Sequence, residues 1–180
     1  MRNFFLITSV LLVTMNETAW TKQECDLKKP EIMATSRFSI NKTTGKVFDN
    51  MTQLIWKICP EGTIYSNEKC YGDMTFTWIQ ASKLFNSNAD YWRLPSTDEL
   101  KTIIERRCIN PATNLEVFPN TQPSIFWASN FDSSDQDYAN NIYFGRGLIG
   151  NDLKTKSFYV RLVTGRPWVG NPPLLQGPQK

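Results

Sequence analysis

The chain has 180 residues, 20 Lys and Arg against 17 Asp and Glu, a formal net charge of +3, and no histidine. Missing histidine removes the commonest general base and zinc ligand, and with it the Ser-His and Cys-His nucleophile systems. Plentiful aromatics among scattered Gly, Pro and Asn argue against a disordered chain and for one ordered, turn-rich domain.

Arg2 followed by the apolar run over residues 4–15 predicts a secretory signal peptide over residues 1–19. The run is too short for a comfortable membrane span. Ala19 is the best small residue for cleavage, and an uncleaved N-terminal anchor is the alternative reading. The remainder divides into a domain over residues 20–165 and a Pro- and Gly-rich flexible tail over residues 166–180. In an exported chain the four cysteines Cys25, Cys59, Cys70 and Cys108 imply disulfides, with three possible pairings. A metal site is the weaker rival, because no pair has CxxC spacing and no histidine completes a set.

Residues 20–36 read as an extended lead-in. Residues 37–40 and 46–49 flank a turn-rich stretch and predict a hairpin. A second turn, Asp49-Asn50-Met51-Thr52, leads into a buried strand over residues 54–59. The loop from Cys59 to Cys70 is compact, with a cysteine at each end; these two are expected to pair, which leaves Cys25 with Cys108. Trp78, Ala81, Ser82 and Phe85 recur at helical spacing, predicting a first helix over residues 75–85 that ends near Asn86.

The stretch Trp92-Arg93-Leu94-Pro95-Ser96 reads as the structural keystone. Pro95 breaks any incoming helix and holds Leu94 extended. Ser96 then caps a second helix, with Glu99 three residues later closing a capping box. Leu100, Ile103 and Ile104 carry its apolar face as far as Arg106 and Arg107, whose charges would suit the negative end of the dipole. Trp92 and Leu94 are expected in the core, and Arg93 between them needs a partner. Beyond residue 110 come loops, then strands over residues 125–129, 138–144 and 157–163. In the last, Phe158, Val160 and Leu162 alternate with Ser157, Tyr159 and Arg161. Tyr143 and Tyr159 are expected in the core, whereas exposed aromatics such as Tyr138 or Trp168 would offer faces for stacking on sugars.

Ten ordered segments resemble one family, the C-terminal domain of the Legionella collagen-like protein. They include Val47-Phe48-Asp49-Asn50-Met51-Thr52-Gln53-Leu54-Ile55-Trp56-Lys57, Tyr91-Trp92-Arg93-Leu94-Pro95, Asn110-Pro111-Ala112, Val117-Phe118-Pro119-Asn120-Thr121, Phe126-Trp127-Ala128-Ser129 and Tyr159-Val160-Arg161-Leu162-Val163. The resemblance covers residues 25–165. It implies an exported bacterial protein of the periplasm, cell surface or medium, with binding to sulfated glycosaminoglycans and a trimeric state; the collagen repeats are absent from this chain. It also implies an α+β, C-type-lectin-like single domain with two helices and a mainly antiparallel twisted sheet, stapled by disulfides. Asn41 and Asn50 match glycosylation acceptors, but in a bacterial protein they are turn residues.

Residues 146–180 hold six basic residues against Asp152 alone, whereas residues 20–145 hold 13 basic and 15 acidic residues. Lys154, Lys156, Arg161 and Arg166 are therefore the candidate contacts for a sulfated glycosaminoglycan or other polyanion, with no specific nucleic acid implied. Asp132, Asp135 and Asp137 supply oxygen ligands but none of the spacings that calcium sites use, so a solvated loop is the better reading. No catalytic residue, metal or cofactor is predicted. The leading expectation is a non-enzymatic binding or adhesion module. A structural subunit, packed against an envelope or surface protein, is the alternative, and a carboxylate glycan enzyme stands third.

Overall fold

Short apolar stretches separated by turn residues become short antiparallel strands, and the computed structural model describes residues 22–84, 91–131, 135–168 and 170. The signal segment, Phe85 and Asn86, Asp132, and most of the predicted tail lie outside the described residues. The first helix, expected over residues 75–85, spans only Trp78–Ser82, because Phe76 and Thr77 pair as a strand and Lys83 caps the helix end.

In chain order the strands begin with β1 (Glu24–Cys25), β2 (Phe38–Asn41), β3 (Lys46–Asp49) and β4 (Ile55–Lys57). A small hairpin follows, β5 (Ile64–Ser66) and β6 (Lys69–Tyr71), then β7 (Phe76–Thr77) runs into helix α1 (Trp78–Ser82). Helix α2 (Thr97–Lys101) precedes β8 (Cys108–Ile109), β9 (Ile125–Phe131), β10 (Tyr138–Tyr143) and β11 (Leu148–Leu153). The last strands are β12 (Ser157–Phe158) and β13 (Val163–Thr164). The larger sheets have the orders β13-β4-β3-β2 and β11-β10-β9, while β1-β8, β12-β7 and β5-β6 form two-stranded ladders. Every one of these pairings is antiparallel. The architecture is thus α+β, with two short helices and two disulfides, Cys25–Cys108 and Cys59–Cys70.

Two apolar clusters fill the interior. The larger joins Trp56, Leu100, Ile103, Phe118, Phe126 and Phe144; the smaller joins Trp92, Leu94, Trp127, Val160 and Leu162. Helix α2 packs on β9 and β10 and contributes Leu100 to the larger cluster.

Three further sequence expectations need correction. The second helix stops at Lys101 rather than Arg107. Ile103 and Ile104 are buried as their spacing requires, but tertiary partners take the backbone. The Glu105 amide donates to the Ala112 carbonyl (3.0 Å), and the Thr113 hydroxyl donates to the Ile103 carbonyl (2.8 Å). The Glu105 carboxylate accepts from the amides of Ile32 and Met33, both at 2.9 Å. Arg106 and Arg107 therefore end no helix. Second, residues 157–163 do not form one strand but are split between β12 and the start of β13, and the segment from Tyr159 to Val163 is buried at every position, so alternation there does not separate core from solvent. Third, the stretch after Gly147 is a strand, β11, paired along its whole length with β10.

Candidate binding site

The keystone is assembled by local rules. Pro95 sets an extended entry, Ser96 accepts from the Glu99 amide (3.1 Å), and Glu99 Oε2 accepts from the Ser96 amide (2.8 Å), completing the capping box. Glu99 Oε2 and Oε1 also take Arg93 Nη1 and Nη2, at 2.7 and 2.6 Å, as a bidentate pair. Oε1 further accepts from the Trp168 amide at 3.1 Å. The Arg93 backbone bridges to Val163 in both directions, at 2.9 and 3.0 Å. One buried carboxylate thus ties the helix start, the keystone arginine and the C-terminal segment together.

Burial pushes the Glu99 carboxyl upward, but the bonds from Arg93 and Ser96 outweigh it and hold it below its ordinary value. A carboxylate whose folded pKa lies below its unfolded one adds stability above the unfolded value and loses it as pH falls through the folded one. The stability gap between the wild type and Glu99→Gln is therefore expected to narrow on acidification. Urea melts at neutral and acid pH check this, and a constant gap refutes it.

Trp92 also forms the floor of an open pocket. Lys46 on β3 and Lys57 on β4 are direct cross-strand partners, and their inward neighbours Val47 and Trp56 are fully buried. Pleat alternation turns both lysines to the other face. Their ammonium groups lie 5.9 and 5.5 Å from the Trp92 ring centroid, within cation–π range. The pocket, about 310 Å³, is walled by Tyr65, Thr63 and Glu61. Glu61 pairs with Lys57 at 2.6 Å.

Of the residues singled out for polyanion contact, one does not reach the surface. Arg161 is fully buried. Its Nη1 donates to the carbonyls of Lys57 (2.9 Å) and Ile58, its Nη2 donates to the Thr121 hydroxyl (2.8 Å), and it stacks over Phe118 at 4.7 Å. Burial lowers its pKa to about 9, which still leaves it charged at neutral pH. It holds the core together and cannot reach a surface ligand. Lys154 lies 4.6 Å from the Trp78 and Phe131 ring centroids and donates to the Gln136 carbonyl. Lys156 pairs with Asp152 at 2.5 Å. Arg166 is exposed.

Other candidates resolve similarly. Asp135 accepts from the Asp137 amide at 3.0 Å, an ordinary Asx turn. Among the described residues, no three Cys, Asp or Glu side chains come together as a metal site would need. Tyr159 is buried, and burial together with its bond to Asp73 raises its pKa. Tyr143 is exposed instead of core, and Trp168 packs partly buried against the larger cluster. Asn41 accepts from the amides of Thr43 and Thr44, and Asn50 donates to the Arg37 carbonyl, so both serve turns.

Sequence reasoning missed Lys46 and Lys57. The signal was present: pairing residues symmetrically about the turn at residues 49–54 places them opposite each other.

Comparison with known proteins is consistent with this layout. The family model of the Lcl C-terminal domain matches residues 45–164, which takes in β3, the keystone and β13. No curated protein and no solved structure matches the chain.

Proposed function

The chain belongs to the Lcl C-terminal domain family, and from that membership we propose an exported, non-enzymatic binding and adhesion domain for an anionic, sulfated glycan. The observation that carries the ligand class is the cross-strand pair Lys46 and Lys57 above Trp92. The two ammonium groups lie side by side on one wall of the pocket, one of them paired with Glu61, and a sulfate accepts charge-assisted hydrogen bonds from cations so placed. Tyr65, half-buried, supplies aromatic surface beside the cations, and Trp92 backs them from the core. Export is compatible with both disulfides.

The non-enzymatic part is supported by the use made of the buried carboxylates. Asp49 is taken by Arg37 and Thr52, Glu99 by Arg93 and Ser96, and Glu105 by backbone amides. These three, the buried carboxylates among the described residues, are thus engaged in holding the fold. A C-type-lectin-like plan is part of the same proposal, supported by the order of an Arg-Leu-Pro helix entry followed by the sheet β9–β11. A second reading, a subunit of a surface appendage, draws on the edge strand β11, where Leu148 and Ile149 are more than half exposed.

Retention on immobilised heparin across a salt gradient tests the leading reading. Lys46→Gln/Lys57→Gln is expected to bind about tenfold more weakly, from two half-buried charge contacts of up to ~1 kcal/mol each. Lys154→Ala/Lys156→Ala/Arg166→Ala is expected to elute with the wild type. The reverse pattern moves the site to the C-terminal region, and wild-type elution of both variants overturns the polyanion reading.

A further inference from the structure

The pocket read as an anion site already holds an anion of its own. Among the described residues that line it, Lys46 and Lys57 bring two positive charges and Glu61 brings a negative one. Glu61 Oε2 accepts from Lys57 Nζ at 2.6 Å, with side chains only 22% and 32% exposed. The pair Lys42–Glu68, at 2.5 Å, is a useful contrast, since its side chains are 58% and 69% exposed and water screens them.

Both partners of the Glu61–Lys57 pair start from fixed backbone. The Glu61 amide donates to the Val160 carbonyl at 2.7 Å. The Thr63 hydroxyl donates to the Pro60 carbonyl at 2.6 Å, which closes a turn around Glu61. Two residues before it, Cys59 is bonded to Cys70. On the other side, the Lys57 amide donates to the Leu162 carbonyl at 3.1 Å, and its ammonium rests 5.5 Å from the Trp92 ring centroid. Little backbone freedom is therefore lost when the pair forms, and the carboxylate stays beside the lysine.

An anionic group that approaches Lys57 has two routes. It binds beside Glu61, using another of the three ammonium donors, and then sets two negative charges close together in a half-buried pocket. Otherwise it breaks the 2.6 Å pair and takes the place of Glu61. Either route subtracts from its affinity. A lone ligand carboxylate gains at Lys57 only what Glu61 already supplies. Closely spaced sulfates draw on Lys46 and Lys57 together, and the added attraction outweighs the loss. Resting on the polyanion reading, we propose that Glu61 is the specificity-determining residue of this pocket. It is a built-in competitor that admits densely sulfated glycan segments and turns away glycans whose only charges are uronate carboxylates.

The test is calorimetric titration of the oxidised protein with a fully sulfated heparin tetrasaccharide and with an unsulfated hyaluronan tetrasaccharide. Glu61→Gln removes the charge and keeps the shape. It is expected to bind the heparin fragment about fivefold more tightly, the worth of one half-buried charge contact, and to gain affinity for the hyaluronan fragment that the wild type lacks. Glu68→Gln removes the same charge from the exposed pair outside the pocket and is expected to bind as the wild type does. In a Lys57→Gln background, Glu61→Gln is expected to lose most of its effect, because the contact it releases is already gone. The proposal is overturned if Glu61→Gln binds the heparin fragment no more tightly than the wild type, or if Glu68→Gln matches its gain. It is equally overturned if the full gain persists without Lys57, or if hyaluronan binds the wild type and Glu61→Gln alike. Each of these results leaves the polyanion reading standing so long as Lys46→Gln/Lys57→Gln weakens heparin binding. Absence of heparin binding by both the wild type and Glu61→Gln overturns the two together.

Discussion

Replacing Trp92 with alanine is expected to lower the unfolding free energy by about 3–5 kcal/mol, the usual range for emptying a buried aromatic site. Trp92 is 5% exposed and packs in one cluster with Leu94, Trp127, Val160 and Leu162. The hole cannot close by moving the chain, because both backbone groups of Arg93 are bonded to Val163 and its side chain is pinned by Glu99. Trp92→Phe retains much of the ring volume and is expected to lose less. Urea denaturation with an unchanged m-value measures the difference. A midpoint that stays at the wild-type value contradicts the keystone role.

The second large effect comes from the disulfides, whose worth follows from the loops they close. Cys25 and Cys108 are 83 residues apart, and Cys59 and Cys70 are 11 apart. Chain entropy then assigns about 4.5 kcal/mol to the first and about 3 kcal/mol to the second. Cys25→Ser/Cys108→Ser is expected to be the more destabilised of the two double variants. The opposite ranking in urea melts would show that native packing, not loop closure, sets the order.

What could be read from the sequence was what local chemistry decides. The Ser96 cap and its Glu99 partner are separated by three residues, and their geometry owes nothing to the rest of the fold. The hairpin of β2 and β3 was legible for the same reason. The end of α2 was not, since Ala112 and Thr113, far along the chain, capture the backbone of Glu105 and Ile103. Arg161 misled because an arginine in an alternating strand normally faces water. Here neighbours cover both sides, and two backbone carbonyls with Thr121 replace the solvent. The polar composition of Gly150, Asn151 and Asp152 hid β11, which forms through its ladder with β10. The Trp92 pocket needed the register of β3 against β4, a nonlocal fact that the turn only implied.

The Cys25–Cys108 bond also has a mechanical meaning. Tension applied along the chain from its two ends reaches Cys25 near the start of the described residues and crosses the sulfur bridge directly to β8. The intervening 83-residue loop, which unravelled would lengthen the molecule by roughly 280 Å, lies off the load path. Lys46, Lys57, Tyr65 and Trp92 all belong to that sheltered loop. A domain pulled while attached would therefore yield first between β8 and its C-terminal end, and the pocket's covalent frame would carry no force until the bridge was reduced.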